Sequence, residues 1–399
     1  MQGVKSNLDK TILDNTSAFS LLTLIRDAGS LTMADLRKAT CTSHATLSRR
    51  LTRLIEAGLV DASIPGASRG GRKPALLRIH PSCGYTVGVE ITRTSIRTGL
   101  MDAAGKIIQV ESFGLFLNST PEKACRRIAE KVAEYRTMAG SVPLLGIGVC
   151  VVGPLDPQTG RMLQSEGFPV QGWEKIPIRD FLADAAGLPV RVGNGADLAA
   201  LGEYRYGGEA GCGNLAYVMA GVGLRLGILV NGQILPGHVH EEAFGYLCVN
   251  GKPGAKLKDF VSLRALRSRY MERIQEGSYT SAAETLDFDM ASISADTFFK
   301  AVETGDALAL EILQEAADVF TDGLSSMIRI LNPDRVILGG VLIRRCPVFA
   351  KITIQRVKPK IAEFIGKEIK FSIGQLGGDA GIKGAGSLIL DEFFSRLTL

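Results

Sequence analysis

The stretch Ser43-His-Ala-Thr-Leu-Ser-Arg-Arg-Leu-Thr-Arg-Leu-Ile-Glu-Ala-Gly58 decides how the first fifth of the chain is read. On a helix, Leu47, Leu51, Leu54 and Ile55 fall at i, i+4, i+7 and i+8 and form one apolar stripe. Thr46, Arg49, Arg50 and Arg53 fall on roughly the opposite face. Ser43 suits an N-cap and Gly58 a C-terminal stop. One face buries while the other presents three guanidiniums, the form of a helix laid in a DNA major groove. Taken alone, such a face is more often a solvated surface. The flanking segments reverse that reading.

Residues 1–15 are polar and read as a loose arm. Ala18, Leu21, Leu22 and Ile25 keep helical spacing and end near Gly29, and Thr32 with Asp35 forms a capping box for a second short helix. Helix, helix, tight turn and helix is the helix-turn-helix plan. Beyond Gly58, Leu59–Ser63 and Ala75–Ile79 read as two strands joined by a loop rich in glycine and arginine. Arg69, Arg72 and Lys73 in that loop suit phosphate or minor-groove contacts, completing a winged helix. Charge agrees with this. Residues 1–80 hold 12 Lys and Arg against 6 Asp and Glu, so the excess positive charge lies where phosphates would be met.

The rest of the 399-residue chain is an ordinary globular composition, 46% hydrophobic and 22% charged. The seven cysteines are scattered with no CxxC, which favours reduced thiols over a disulfide framework or a structural zinc site. No segment reads as a signal peptide or as an apolar span of about 18 residues, so a cytoplasmic protein without membrane contact is expected. From Gly84 the texture becomes α/β. Tyr85–Ile91, Ser95–Met101 and Ile107–Val110 read as strands, 121–138 as a helix, and Leu144–Val152 as a buried strand ending at Gly153-Pro154. Asn214–Ala220 and Val336–Leu338 are further strands. Two related halves facing a cleft would account for this layout.

These residues together resemble the ROK family of bacterial sugar kinases and sugar-responsive repressors. The resemblance rests on Leu59-Val60 with Gly70-Gly-Arg-Lys-Pro74, Gly146-Ile-Gly-Val, Gly153-Pro154, Gly172-Trp173 and Gly187-Leu-Pro-Val190. It continues through Leu201-Gly-Glu203, Leu331-Asn-Pro-Asp334, Leu338-Gly-Gly340 and Gly378-Asp-Ala-Gly381. It covers nearly the whole chain. It implies a winged helix-turn-helix followed by a two-lobed, actin-like ATPase (ribonuclease H-like) domain. The expected division is 1–80 for the DNA-binding domain and 81–399 for the rest. Lobe I would take 81–197 with a C-terminal helix at 384–399, and lobe II 198–383.

The departures from the family pattern decide the chemistry. The first phosphate loop, Asp-x-Gly-Gly-Thr in the family, reads Glu90-Ile-Thr92-Arg93-Thr94 here. The second reads Gly221-Val-Gly-Leu-Arg-Leu-Gly227, with Val222 and Arg225 in place of a threonine and a glycine. Phosphate cradles need bare backbone N–H groups, so both loops read as blocked. The family's Glu-Asn-Asp-Ala-Asn carries a catalytic base, and here the run is Gly193-Asn-Gly195-Ala-Asp197. Gly195 cannot accept a proton, and Asp197, two residues on, would point elsewhere on a helix. The sugar- and zinc-binding run is reduced to Glu242-Ala-Phe-Gly-Tyr246, and none of the family's four zinc ligands is present. His238 and His240 read as surface-loop residues rather than a metal pair.

The expected function is therefore a DNA-binding transcriptional regulator, a repressor of carbohydrate genes, with a catalytically inactive kinase-like domain and no cofactor or metal. His44, Thr46, Arg49, Arg50 and Arg53, with Arg69, Arg72 and Lys73 of the wing, are the candidate DNA contacts. By position in the family, Asn194, Glu166 and Gln164 are candidate effector contacts. Arg93 and Arg225 could hold an anionic effector such as a sugar phosphate or sugar acid, or could fill an unused cleft by pairing with Glu90 or another carboxylate. A homodimer or tetramer on a palindromic operator is expected. The alternatives are a sugar kinase with a regulatory head, and a repressor controlled by a protein partner docking near Leu266–Ile274 or on the apolar C-terminal run.

Overall fold

The computed structural model describes residues 16–65, 75–116, 120–156, 159–163, 168, 171–208, 211–235, 241–249, 254–280 and 294–397. The chain divides into two units, residues 1–211 with 379–399, and residues 212–378.

The first unit begins with α1 (Thr16–Asp27), β1 (Leu31–Thr32), α2 (Met33–Thr40) and α3 (His44–Glu56), followed by β2 (Val60–Pro65) and β3 (Ala75–Ile79). The capping box at Thr32 and Asp35 is present in full, with both reciprocal bonds made. Three residues, one of them the left-handed Cys41, turn the chain from α2 into α3. Ser43 caps α3 by accepting the Thr46 N–H at 3.3 Å. At the far end Gly58, with φ of +69°, donates to the Ile55 carbonyl, and Leu59 donates to the Leu54 carbonyl. That is a Schellman stop, with Leu54 and Leu59 both buried across it. The antiparallel pair β2–β3 with β1 on its other side completes a three-stranded sheet. The head is thus a winged helix-turn-helix.

The body of the first unit is a five-stranded sheet. It is built from β4 (Tyr85–Ile91), β5 (Ser95–Asp102), β6 (Ile107–Gly114), β7 (Leu144–Val151) and β8 (Val190–Asn194). Three more helices complete it in chain order: α4 (Pro121–Ala139), α5 (Ile178–Ala186) and α6 (Gly195–Tyr206). Strand order is β6-β5-β4-β7-β8, antiparallel through the first three and parallel through the last two.

The second unit repeats this plan. Its strands are β9 (Asn214–Ala220), β10 (Leu224–Val230), β11 (Gln233–Ile234), β12 (Arg335–Gly339) and β13 (Lys370–Ile373). Their order is β11-β10-β9-β12-β13, again two antiparallel pairings followed by two parallel ones. Between β11 and β12 lie α7 (Lys258–Val261), α8 (Leu263–Gln275), α9 (Ala295–Glu303) and the 25-residue α10 (Ala307–Leu331). Helices α11 (Val341–Arg345) and α12 (Pro347–Ala362) connect β12 to β13. Phe320 of α10 stacks on Phe349 of α12 with centroids 5.4 Å apart in this unit's core. The two related halves expected from sequence are therefore present as two sheets of the same topology.

The chain returns to the first unit with α13 (Ala380–Arg396), which packs on α6, β4 and β7. Backbones meet closely there. A Cβ at Gly384 would overlap the Leu198 carbonyl, and one at Gly148 would overlap the Ala385 carbonyl. Two sequence expectations are corrected by this packing. The lobe boundary expected at residue 197 would cut α6, which is one unbroken helix of the first unit, and the change of unit falls at residue 211. The C-terminal helix starts at Ala380 rather than at residue 384. The apolar C-terminal run is also no open docking face. Leu390, Phe394 and Leu397 are buried in a core shared with Leu21, Leu22 and Ile25 of the head. Leu266 and Tyr270 of α8 are fully buried as well. Among the described residues no helix is long and apolar enough to cross a membrane.

Candidate functional site

Helix α3 is held by Leu47, Leu51 and Leu54, each at most 2% exposed. Burial of each side chain contributes about 1.5–3 kcal/mol. Ile55, expected in the same stripe, is instead 40% exposed, because the i+8 position has rotated off the narrow face that Leu47 defines. His44 and Arg49 are exposed, and Thr46, Arg50 and Arg53 are half-buried. The Thr46 hydroxyl lies 3.0 Å from the Ser43 hydroxyl, and the Arg50 Nε is buried without a hydrogen-bond partner among the described residues. The N-terminal turn of α3, with His44 at its first position, is the part of such a helix that meets base edges. Arg69, Arg72 and Lys73 lie outside the described residues, but the strands that carry their loop are in place. Asp61 and Arg78, cross-strand partners at the base of the hairpin, pair at 2.8 Å.

The first phosphate-loop position is the turn between β4 and β5. The Thr92 hydroxyl donates to the Ser95 carbonyl at 2.9 Å and accepts the Ser95 N–H at 3.0 Å and the Thr94 N–H at 3.4 Å. Amides that would have to face phosphate oxygens are therefore satisfied from inside the turn. Glu90, at the head of this motif, is engaged by Arg97 at 3.4 Å, and Arg97 reaches Asp379 at 2.6 Å. One guanidinium thus bridges the two carboxylates and offsets one of their two charges. Beside the expected pairing of Arg93 with Glu90 or another carboxylate, Arg97 is a partner of Glu90 that the sequence pattern does not single out. The signal was in the hairpin register, which sets Glu90 directly opposite Arg97. Arg93 itself sits half-buried at the hairpin tip.

The equivalent turn of the second unit joins β9 to β10. Val222 there is 60% exposed, and Arg225 is a half-buried strand residue opposite Met219. The first turn thus lacks the glycine-lined cradle of a phosphate loop, whereas the second keeps Gly221 and Gly223 on either side of Val222.

Asn194 caps α6, its Oδ1 accepting the Ala196 N–H at 3.0 Å. The side chain is buried, and its Nδ2 has no hydrogen-bond partner among the described residues. A buried amide with an unmet donor is suited to receiving a ligand hydroxyl. Gly195, where the kinases carry the base, is the first residue of α6, and Asp197 is 4% exposed in its first turn. Gln164 and Glu166 lie outside the described residues, as do His238 and His240.

At the family's zinc position, Tyr246 lies under two ammonium groups, Lys258 Nζ at 3.7 Å and Lys256 Nζ at 4.7 Å from the ring centre. The following segment closes on itself through the Leu257 N–H to the Leu247 carbonyl and a bridge between Cys248 and Lys256. Two cations and a phenol do not make a zinc donor set. Among the described residues no three His, Cys, Asp or Glu side chains cluster as metal ligands.

The sequence model of the ROK family matches residues 86–392. The chain belongs to the ROK family. A MarR family model matches residues 14–70, which is the head. The chain is similar to a xylose repressor of Caldicellulosiruptor bescii, 24% identical over 400 residues and spanning 96% of this chain and 98% of that one. It is also similar to a glucokinase of Thermotoga maritima, 29% identical over 316 residues, 77% of this chain and 97% of the kinase. Among solved structures, a ROK family transcriptional regulator, homolog of E. coli MLC protein, superposes with a TM-score of 0.75. The match covers 98% of each chain at 19% identity and supports the fold.

Proposed function

We propose that this ROK protein is a sugar-responsive, DNA-binding repressor of carbohydrate genes whose kinase-like body is catalytically silent. The observation that carries the reading is α3, an arginine-bearing helix seated by three buried leucines in a winged head. The similarity to the xylose repressor runs through that head, whereas the glucokinase accounts only for the body's share of the chain. His44, Thr46, Arg49, Arg50 and Arg53 contact the major groove and its phosphates, and Arg69, Arg72 and Lys73 act through the wing. Two heads of a homodimer read a palindromic operator. Asn194, Gln164 and Glu166 bind the sugar, and Arg93 and Arg225 add affinity where the effector is anionic.

The absence of phosphoryl transfer follows from the residues at three positions. Gly195 has no proton acceptor, Thr92 closes its own loop, and Arg97 occupies the carboxylate of Glu90. The test is selection of genomic fragments by the full-length protein with and without D-xylose and a panel of sugars, sugar phosphates and sugar acids. Recovery of one palindromic site, lost with one compound, supports the proposal. ATP-dependent phosphorylation of any of these sugars would overturn it in favour of a kinase with a regulatory head.

A further inference from the structure

Two arginines and two aspartates are packed where the head meets the body of the first unit. Arg26 and Asp27 end α1, Arg205 lies in the last turn of α6, and Asp391 is on α13. The side chains of Arg26 and Arg205 are 2% and 6% exposed. Arg26 pairs with Asp27 at 3.1 Å and with Asp391. Arg205 pairs with Asp27 and reaches Asp391 at 3.6 Å. Each aspartate thus touches both arginines, and the four charges sum to zero. The Arg26 guanidinium also lies over Phe394, inside the apolar core shared by head and α13.

Apolar contact between head and body holds without choosing an angle. A ring of ion pairs around two buried guanidiniums does choose one, because drawing off Asp27 or Asp391, whose side chains are 19% and 34% exposed, strands an arginine charge out of water. Such a joint is either seated or released. Helix α6 leads straight to it. Every residue from Gly195 to Arg205 is buried, and Gly202 and Gly384 bring its backbone against α13. Its far end is capped by Asn194, whose buried Nδ2 lacks a hydrogen-bond partner among the described residues. From Asn194 to Arg205 the helix spans about 16 Å at the usual rise. It is too tightly enclosed to bend within that length.

We propose that α6 is the rod that carries a change at its Asn194 end to the DNA-binding head, through Arg205 and its ion-pair ring with Arg26, Asp27 and Asp391. The proposal rests on the repressor reading above. Linkage is reciprocal, so DNA held by the head must in turn alter the Asn194 end of α6.

The test therefore needs no effector. Hydrogen exchange of the first turn of α6 is followed in the full-length protein with and without the operator duplex recovered by selection. Slowing by about fivefold or more on duplex binding is expected for the wild type. In the variant carrying Arg26→Met, Asp27→Leu, Arg205→Met and Asp391→Leu together, a folded protein that still binds the duplex is expected to show no slowing. Arg205→Lys keeps the charge but loses the fork, and it is expected to lose most of the slowing while keeping the fold. No slowing in the wild type overturns the proposal, as does slowing that survives both variants. Failure of the wild type to retain any duplex overturns the repressor reading itself, and the rod with it.

Discussion

At the scale of single residues, the head and the body differ in what their charged groups do. Arg50 and Arg53 lie half-buried along α3, and among the described residues neither pairs with a carboxylate; a face kept for phosphate or base edges has this form. Arg50→Ala is expected to weaken operator binding by about 1–3 kcal/mol. A titration against duplexes altered one base pair at a time then separates a base contact, which relaxes one position, from a phosphate contact, which weakens all alike. Asp61 is a different case. The Ser63 hydrogen bonds and then Arg78 hold its carboxyl down at about 2, from an ordinary value of 3.8. Since the folded value is the lower one, its stabilisation is complete above about pH 4 and is lost as pH falls through about 2. Asp61→Asn is expected to flatten that part of the acid unfolding curve, which thermal melts between pH 2 and pH 5 would record. Arg97 is not conspicuous in the sequence. An arginine two strand positions beyond a turn looks like surface charge until the register places it opposite Glu90.

At the scale of elements, most of the fold was legible because its signals are local. Helical spacing of leucines, the Thr32–Asp35 box and the Gly58 stop each depend on a few neighbouring residues, and all three appear where the sequence places them. Ser43→Ala removes the cap of α3 and is expected to cost about 1 kcal/mol of head stability, while Ser43→Asp retains it. Chemical denaturation of the full chain followed by a probe in the head measures the difference. The misread features are those set at long range. Ile55 satisfies the helical pattern yet stays out because three leucines already fill the contact face. The change of unit falls at residue 211 rather than 197 because nothing in the local sequence says that α6 belongs with α13, which lies at the far end of the chain.

At the scale of the whole molecule, one five-stranded plan occurs twice, and the departures from the ROK kinase pattern are spread over the β4–β5 turn, the start of α6 at Gly195, β10 at Arg225 and the segment at Tyr246. The losses are mutually consistent. Restoring one part should therefore not restore the chemistry. Gly195→Asp is expected to yield no ATP-dependent phosphorylation of glucose or xylose in a coupled assay, because Thr92 and Arg97 still occupy their site. What the molecule retains intact is the head and its seat on the body. Specific DNA recognition by α3 is therefore to be distinguished from simple charge attraction, and salt dependence separates the two. Binding of the selected duplex and of a scrambled duplex would be titrated by fluorescence anisotropy between about 50 and 200 mM salt, across which non-specific phosphate binding collapses. The selected duplex is expected to stay bound about a thousandfold more tightly than the scrambled one at the higher salt. Equal affinities that fall together with salt would contradict it.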